Sequence, residues 1–587
     1  MLPLRTADRS PARPAESRWE IRPFDSALSQ RLAREYSLHP AAARVLAGRA
    51  AFAGNGGLPA YLSPMLRHLR SPFELADMEP ATDRVLRALR DGEKVCIYGD
   101  YDVDGLSATA ILEETLRRLG GDPAVVIPHR FNEGYGMNTA RVEQIAASGT
   151  TLIVTVDNGI SALEPVRRAR ELGLDVVVTD HHLPSEEGLP DAAAIVNPNR
   201  PDAAYEHGRL CGAGVAFKFA HALLKAAGEP ERRAKPFLLG LLDLVALGTV
   251  ADMVPLLGEN RVLARHGLEA LAKTKRPGLV ALLRAAGHRN RSVSPYTVGF
   301  VLGPRLNAAG RCGDAMPALR LLLTRDPEEA TRLAGQLEQL NRERRRIEED
   351  ILTASLQEAD RTLAGSTGHT LVVGGRGWHL GVVGIVAARL TERYEVPAIV
   401  LGIDDEGVAK GSARSIPGFD IHEALIACAE HLETYGGHAG AAGLRLRADA
   451  LPDFRGAINE YAGGIFSGLD RTRVVVADTE LRPREIGWDL HGALERMQPF
   501  GEGNPSPRFL LRGVRAVYPP RIVGKNHLRL RAGAGNGQWD AIGFSRAHLK
   551  ELFESDAPND IIVHLQVNEF NGQRRLEFEL LDARPSV

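Results

Sequence analysis

Four cysteines in 587 residues are few, and they lie far apart. Cys96, Cys211, Cys312 and Cys428 form no CxxC pair. That excludes a disulfide framework and a thiolate zinc knuckle, and it fits a reducing cytoplasm. No uninterrupted apolar stretch approaches the roughly 18 to 20 residues that span a bilayer, so no membrane partner is expected. The first residues, rich in Arg, Pro, Ala and Ser, lack the apolar core of a signal peptide and read as a disordered tail. An excess of one charge is missing too. A formal net charge of −2 offers nucleic acid no general attraction, so such a partner must be held by local basic surface or through metal ions. What remains is an ordinary soluble composition, 44% hydrophobic and 25% charged, over a length that suggests three or four domains.

From Asp91 to Arg200 short apolar runs alternate with helical patterns. Val95–Tyr98, Ala124–Ile127, Leu152–Val156, Val176–Val178 and Ala194–Val196 read as strands, which implies a parallel sheet covered on both faces. Gly212 to Arg320 reads as helical. A single long helix is expected from Asp326 to Leu363, roughly 55 to 60 Å long at 1.5 Å per residue. The charged run Arg342–Asp350 on it reads as a solvated face with i,i+4 pairs. A second α/β unit follows, with strands near Leu371–Val373, Ala398–Leu401 and Val408–Ser412 and a compact Gly-rich turn at Gly436–Gly443. The C-terminal segment carries five strand runs, Phe509–Tyr518, Arg521–Arg531, Gln538–Phe544, Ile561–Phe570 and Arg574–Leu581, with a short helix at Ala547–Phe553 and an Asn571-Gly572 hairpin turn. That order fits an OB-type barrel, a fold that commonly binds single strands; a small structural β-domain is the alternative. The expected divisions are a tail with short helices (1–50), a catalytic α/β domain (51–320), the connecting helix (321–366), the second α/β domain (367–465) and the barrel (466–587).

Three strands in succession end in metal-ligand chemistry. Tyr98 opens onto Gly-Asp100-Tyr-Asp102-Val-Asp104, Val156 onto Asp157, and Val178 onto Thr-Asp180-His181-His182. In parallel sheets, sites gather at the carboxyl ends of strands. Asp102 and Asp104 can turn toward one site, and Asp157 is placed to bridge two ions. His181 is expected to complete one ion and Asp252 the other. Mixed Asp and His ligation suits two Mn²⁺ or Mg²⁺ ions. Taken singly, each Asp also fits a turn former or a helix N-cap; the joint pattern is what points to a dinuclear centre.

In that order, Asp-Tyr-Asp-Val-Asp-Gly, Val-Asp-Asn-Gly, Thr-Asp-His-His and Ala-Asp-Met-Val-Pro resemble the DHH phosphoesterase superfamily. The elaborated first motif, Gly303-Pro-Arg-Leu-Asn-Ala-Ala-Gly-Arg311 and Gly436–Gly443 are similar to its single-strand exonuclease branch. The resemblance runs from about Phe73 to the C-terminus. It implies a parallel-sheet DHH domain joined by a long helix to a second, DHH-associated α/β domain and then an OB-type barrel. It also implies 5′-to-3′ release of mononucleotides from single-stranded DNA in recombination and repair, with single-strand-binding protein and a RecQ-type helicase as partners. Carried over by residue, Asp102, Asp104, Asp157, His181 and Asp252 match metal-ligand positions. Asp100 and His182 stand near the site, His182 toward the scissile phosphate and Asp180 orienting a histidine.

Reading a 5′ end needs further groups. Arg130, after the second strand, and Ser412 and Arg414 suit a terminal phosphate, a role the resemblance supports; interface ion pairs are the alternative. Tyr135 is a candidate base-stacking ring or a packed aromatic. Arg305, Asn307 and Arg311 form a polar cluster expected near the active site, with helix capping as the alternative. His438 offers the strand a hydrogen bond from the Gly-rich turn. Rival readings are a phosphodiesterase of short oligonucleotides or cyclic dinucleotides, whose relatives are shorter, and a non-catalytic replication scaffold, which would be expected to have lost carboxylates.

Overall fold

The computed structural model describes residues 17–586 apart from 50–56, 131, 132, 135, 204, 206–208, 289–291, 364–367, 469–471 and 571. The expected N-terminal tail, Tyr135 and the turn residue Asn571 thus lie outside the described residues, the tail save for its last residue. The chain divides into two compact units. One holds residues 1–307, 315–334 and 473–587, the other 308–314 and 335–472.

Every residue of Val95–Tyr98 and Leu152–Val156 is buried, as near-continuous apolar strands covered on both faces should be. With Ala124–Val126, Asp175–Thr179 and Ala194–Val196 they make a five-stranded parallel sheet. Its spatial order puts the second strand outside the first and the remaining three in succession on the other side. The direction of winding therefore reverses between Val95–Tyr98 and Leu152–Val156. Helices Val103–Arg118, Gly212–Ala226, Glu231–Ala251 and Gly258–Ala272 pack together beside this sheet. Among the described residues, Glu231–Ala251 is the one helix long and apolar enough by composition to cross a membrane. Half of it is buried against those neighbours, and Asp243 interrupts its apolar run, which is why the sequence shows no uninterrupted stretch.

The long helix spans Pro327–Leu363, 37 residues. Its charged run is only partly a solvated face. Arg342 and Arg346 pair with Glu338 and Glu343 in the open, but Arg344 and Glu348 are buried and bonded to each other at 2.7 Å. Arg389 completes that buried pair from helix Leu380–Tyr394, 2.6 Å from Glu348.

In the second unit a five-stranded mixed sheet runs Thr434–His438, Ala441–Arg447, Val408–Arg414, Ala398–Ile403, Leu371–Arg376. Two of these strands occupy the stretch read as a compact Gly-rich turn. Gly436 pairs with Gly443 and His438 with Ala441, leaving only two residues to turn. Glycines carry no strand propensity, so the pairing was hidden.

The C-terminal segment forms a seven-stranded sheet. Phe509–Ala516 pairs with both Asn559–Phe570 and His527–Ala534, closing the sheet upon itself. The run expected over Arg521–Arg531 splits into Arg521–Val523 and His527–Ala534, and Ala547–Phe553 is a 3₁₀ turn. N-terminal helices Ser26–Glu35, Pro40–Gly48 and Gly57–Leu62 bury Leu32, Val45, Leu46 and Leu62 in one core with Phe509, Leu528 and Phe578. Strand Arg18–Ile21 pairs in parallel with Val474–Ala477.

Candidate metal centre

A doubly wound sheet opens a crevice where its winding reverses, outside the carboxyl ends of the two strands concerned. Here those ends deliver Asp100 and Asp102 from one strand and Asp157 from the next. Gly99 fits because a Cβ there would lie 2.2 Å from Thr109 Oγ1. Asp102 caps helix Val103–Arg118, its Oδ1 accepting from the amides of Asp104 and Gly105. The same cap aims Asp104, in the helix's first turn, toward the crevice. Asp157 adopts φ 63°, a left-handed setting that Asp tolerates better than most residues.

Three groups of donors converge within 4.8 Å: Asp104, His181 and Asp252; Asp100, Asp102 and Asp157; and Asp157 with His181 and His182. His181 Nε2 lies 3.0 Å from Asp157 Oδ1, 3.7 Å from Asp252 Oδ2 and 3.8 Å from Asp104 Oδ2. Asp157 thus stands between two clusters. His181 and Asp252 fall in the same cluster, where the sequence reading had separated them, because helix Glu231–Ala251 ends beside Asp104 and not beside Asp100. Asp100 sits among possible ligands rather than at their edge.

Asp104 is held by a feature the sequence reading missed. Its two oxygens accept from the amides of Gly212 and Ala213, at 2.6 and 2.8 Å, in the first turn of helix Gly212–Ala226. Two glycines make room. A Cβ on Gly212 would meet Asp157 Oδ1 at 2.5 Å, and one on Gly248 would meet Asp104 Oδ1 at 2.2 Å. The signal available was Cys211-Gly-Ala-Gly214, small residues opening a mostly apolar helical stretch.

Asp180 holds both histidines. Its Oδ1 accepts from the amides of His181 and His182 and lies 2.7 Å from His182 Nδ1, while Oδ2 accepts from Ile160 N. Burial opposes ionisation of Asp180, but the bond and charge of His182 outweigh it and hold the carboxyl below its usual range. Burial likewise opposes charge on His182, and Asp180 reverses it, lifting the imidazole to about 9. Burial pushes His181 the other way, favouring the neutral ring that a metal requires.

Asp100, Asp157 and Asp252 have no compensation of that strength. Burial, then Asp102, raises Asp100 well above its usual range; burial, then Asp104, does so for Asp157. Burial and Asp104 lift Asp252 to about 8. Asp100 Oδ1 and His181 Nε2 are buried without a hydrogen bond. Crowded buried carboxylates around one imidazole fit divalent cations with hard oxygen preference, and fit them better than a core, where unpaired buried charge is costly.

The other predicted residues fall as follows. Asn307 Oδ1 accepts from Val103 N at 3.0 Å, between Asp102 and Asp104. Arg305 donates to Val301 O on its own helical run, and Arg311 to Gly381 O. Arg130 lies 5.2 Å over the Tyr101 ring, which the sequence reading did not single out. In the second unit Arg414 Nη1 donates to Ser412 Oγ at 3.2 Å. A Cβ on Gly384, in helix Leu380–Tyr394, would lie 3.0 Å from Arg414 Nη2 and 3.1 Å from Ser412 Oγ, so that glycine lets the helix approach the pair closely. His438 is exposed, its Nδ1 accepting from Gly440 N within the hairpin. On the barrel, Leu528 and Leu530 point inward while Arg529 lines an open cavity of about 300 Å³ with Asp540, Asn568, Gln573, Arg575 and Glu577. That face is mixed in charge rather than uniformly basic.

Comparison with known proteins places these features in context. The DHH family N-terminal domain matches residues 94–249, the DHHA1 domain 366–464 and the RecJ OB domain 477–582. The single-stranded-DNA-specific exonuclease RecJ of Bacillus subtilis is 39% identical over 576 residues, 97% of this chain and 71% of that protein. The crystal structure of RecJ in complex with Mn²⁺ from Thermus thermophilus aligns with a TM-score of 0.82 at 31% identity, covering 97% of this chain and 80% of that one. The Mg²⁺ complex from the same source gives 0.75 at 29%, covering 97% and 79%.

Proposed function

Because the chain belongs to the RecJ family of single-stranded-DNA-specific exonucleases, we propose that it degrades single-stranded DNA from the 5′ end, hydrolysing phosphodiester bonds to release 5′-mononucleotides. The observation that carries this reading is the pair of overlapping donor clusters meeting at Asp157. Asp104, His181 and Asp252 would hold one divalent cation and Asp100 and Asp102 a second, with Asp157 shared. Two such ions supply an activated water and neutralise charge on entering and leaving oxygens of a phosphoryl transfer.

The chain's own groups do the rest. His182, kept protonated by Asp180, offers a charged donor to the scissile phosphate. Asn307 anchors the ligand loop at Val103. Ser412 and Arg414 suit a terminal phosphate, which Arg binds through two parallel bonds. Arg130, over the Tyr101 ring, is a further cation offered to the strand's phosphates. The barrel offers the strand polar and aromatic side chains on one face, Arg529 and Phe544 among them. Work in recombination and repair, in the cytoplasm, beside single-strand-binding protein and a RecQ-type helicase, follows from family membership alone; co-purification with single-strand-binding protein tests it.

The deciding experiment digests a 5′-phosphorylated oligonucleotide with Mn²⁺, labelled at the 5′ end in one reaction and the 3′ end in another. Early mononucleotide from the 5′ label and a descending ladder from the 3′ label are expected, with no product from Asp157→Ala. Inert long strands with rapid cleavage of two- to five-nucleotide substrates would replace this reading by a small-substrate phosphodiesterase.

A further inference from the structure

Tyr296 and Phe300 are 57% and 60% exposed, yet their rings lie face to face, centroids 4.9 Å apart and tilted by 24°. Isolated exposed aromatics are common on soluble proteins. A stacked exposed pair is not, and among the described residues this one alone joins two exposed phenyl-type rings. Its setting is unusual as well. Thr297–Leu302 is a π-helical turn, a rare geometry found frequently at functional sites. The turn buries Thr297, Val298 and Leu302 against the core and leaves the two rings outside.

The same turn packs on helix Glu231–Ala251, whose end carries Asp252, and runs directly into helix Gly303–Cys312. Seven residues beyond Phe300, Asn307 is bonded to the loop between Asp102 and Asp104. At 1.5 Å rise per residue, the pair stands about 10 to 16 Å along that helix from Asn307. It therefore lies within a few nucleotides' reach of the metal centre, in the same unit of the chain.

We propose that Tyr296 and Phe300 form a stacking step for a nucleobase of the bound single strand, on the side of the scissile bond that has yet to be cleaved. The inference rests on the single-strand exonuclease reading. Unpaired bases present open π faces that stack on aromatic rings whatever their identity, whereas bases inside a duplex already stack on their neighbours. One ring of the pair braces the other, so the outer face meets the base at little loss of side-chain freedom. No charge is needed at this position, which agrees with a chain whose net charge gives no general hold on DNA.

The test uses the full chain in the Asp157→Ala background, where the strand is bound but not cut, with 5′-phosphorylated oligonucleotides carrying 2-aminopurine at successive positions. Stacking on an aromatic ring quenches this base. Quenching at one or two internal positions is expected, and its loss in the Tyr296→Leu/Phe300→Leu double variant, which keeps apolar bulk but removes the rings. In the metal-loaded enzyme with Asp157 intact, the same double variant is expected to raise KM for a 20-nucleotide strand about 5- to 100-fold. The wild-type preference for long over very short strands should shrink accordingly. Unchanged quenching and KM in a variant paired with a wild type that digests single strands would overturn the stacking step alone, and would leave the rings to a protein partner. A wild type that neither binds nor digests single strands would overturn both this inference and the functional reading beneath it.

Discussion

Asp157 occupies a left-handed backbone setting that costs a non-glycine residue about 1 to 3 kcal/mol, and Met253, next to Asp252, does the same. Two such residues at one centre are tolerated only where the surroundings fix them, and here the surroundings are identifiable atoms. Gly248 leaves no room between its helix and Asp104, so Gly248→Ala should weaken Mn²⁺ binding by about 10-fold or more in an EPR titration. Gly240→Ala, in the same helix with open space around it, should leave the affinity unchanged. Asp180→Asn removes the carboxylate that orients and charges His182, and activity should fall about 10- to 100-fold. With Asp180, His182 keeps its proton up to about 9. Without it, the alkaline limb of the pH–rate profile should move to lower pH, and a profile that stays put would remove His182 from the reaction. The candidate ligands were legible as carboxylates and imidazole following apolar runs. The amides that hold Asp104 were not, because they come from residues more than a hundred positions away and carry no side-chain signature.

At the scale of the element, the five parallel strands and the long helix follow from apolar periodicity, since both are long or fully buried patterns. Hairpin Thr434–Arg447 and the split barrel strand were hidden because glycines and a local turn erase alternation without preventing pairing. The buried Arg344–Glu348 pair was hidden for the opposite reason: a buried ion pair and a solvated one have the same i,i+4 spacing. The segment after the second catalytic strand is held by Glu133, which bonds Arg141, the amide of His129 and Asn138. The bond to Arg141 above all holds its carboxyl down to about 2. A depressed folded value stabilises the native state above the unfolded value, near 4.5, and that contribution fades as pH falls toward 2. Glu133→Gln should therefore lower the melting temperature at pH 7, and the gap to the wild type should narrow on acidification between those limits. A gap independent of pH would mean that the bond owes nothing to charge.

Over the whole molecule, one arginine ties the helices of the first domain to the domain of the barrel. Arg261 is 1% exposed, donates to the carbonyls of Tyr61, Arg496, Gln498 and Pro499, and stacks 4.0 Å from the Tyr61 ring. Arg261→Ala would strand three of these acceptors, since Pro499 O keeps Asn504 Nδ2, and should cost about 3 to 5 kcal/mol, read as a lowered urea midpoint. Nothing in the sequence marks Arg261, because its partners are backbone oxygens from distant segments. The same holds for the N-terminal helices, whose apolar faces look like any others until Phe509 and Phe578 are seen to cover them. Their placement has a consequence for biosynthesis. Strand Arg18–Ile21 finds its partner only at Val474–Ala477. At bacterial elongation rates of about 5 to 20 residues per second, the intervening 450 or so residues take about 20 to 90 s to emerge. Throughout that interval helices Ser26–Glu35, Pro40–Gly48 and Gly57–Leu62 have their core faces uncovered, so they are expected to fold together with the barrel and not before it.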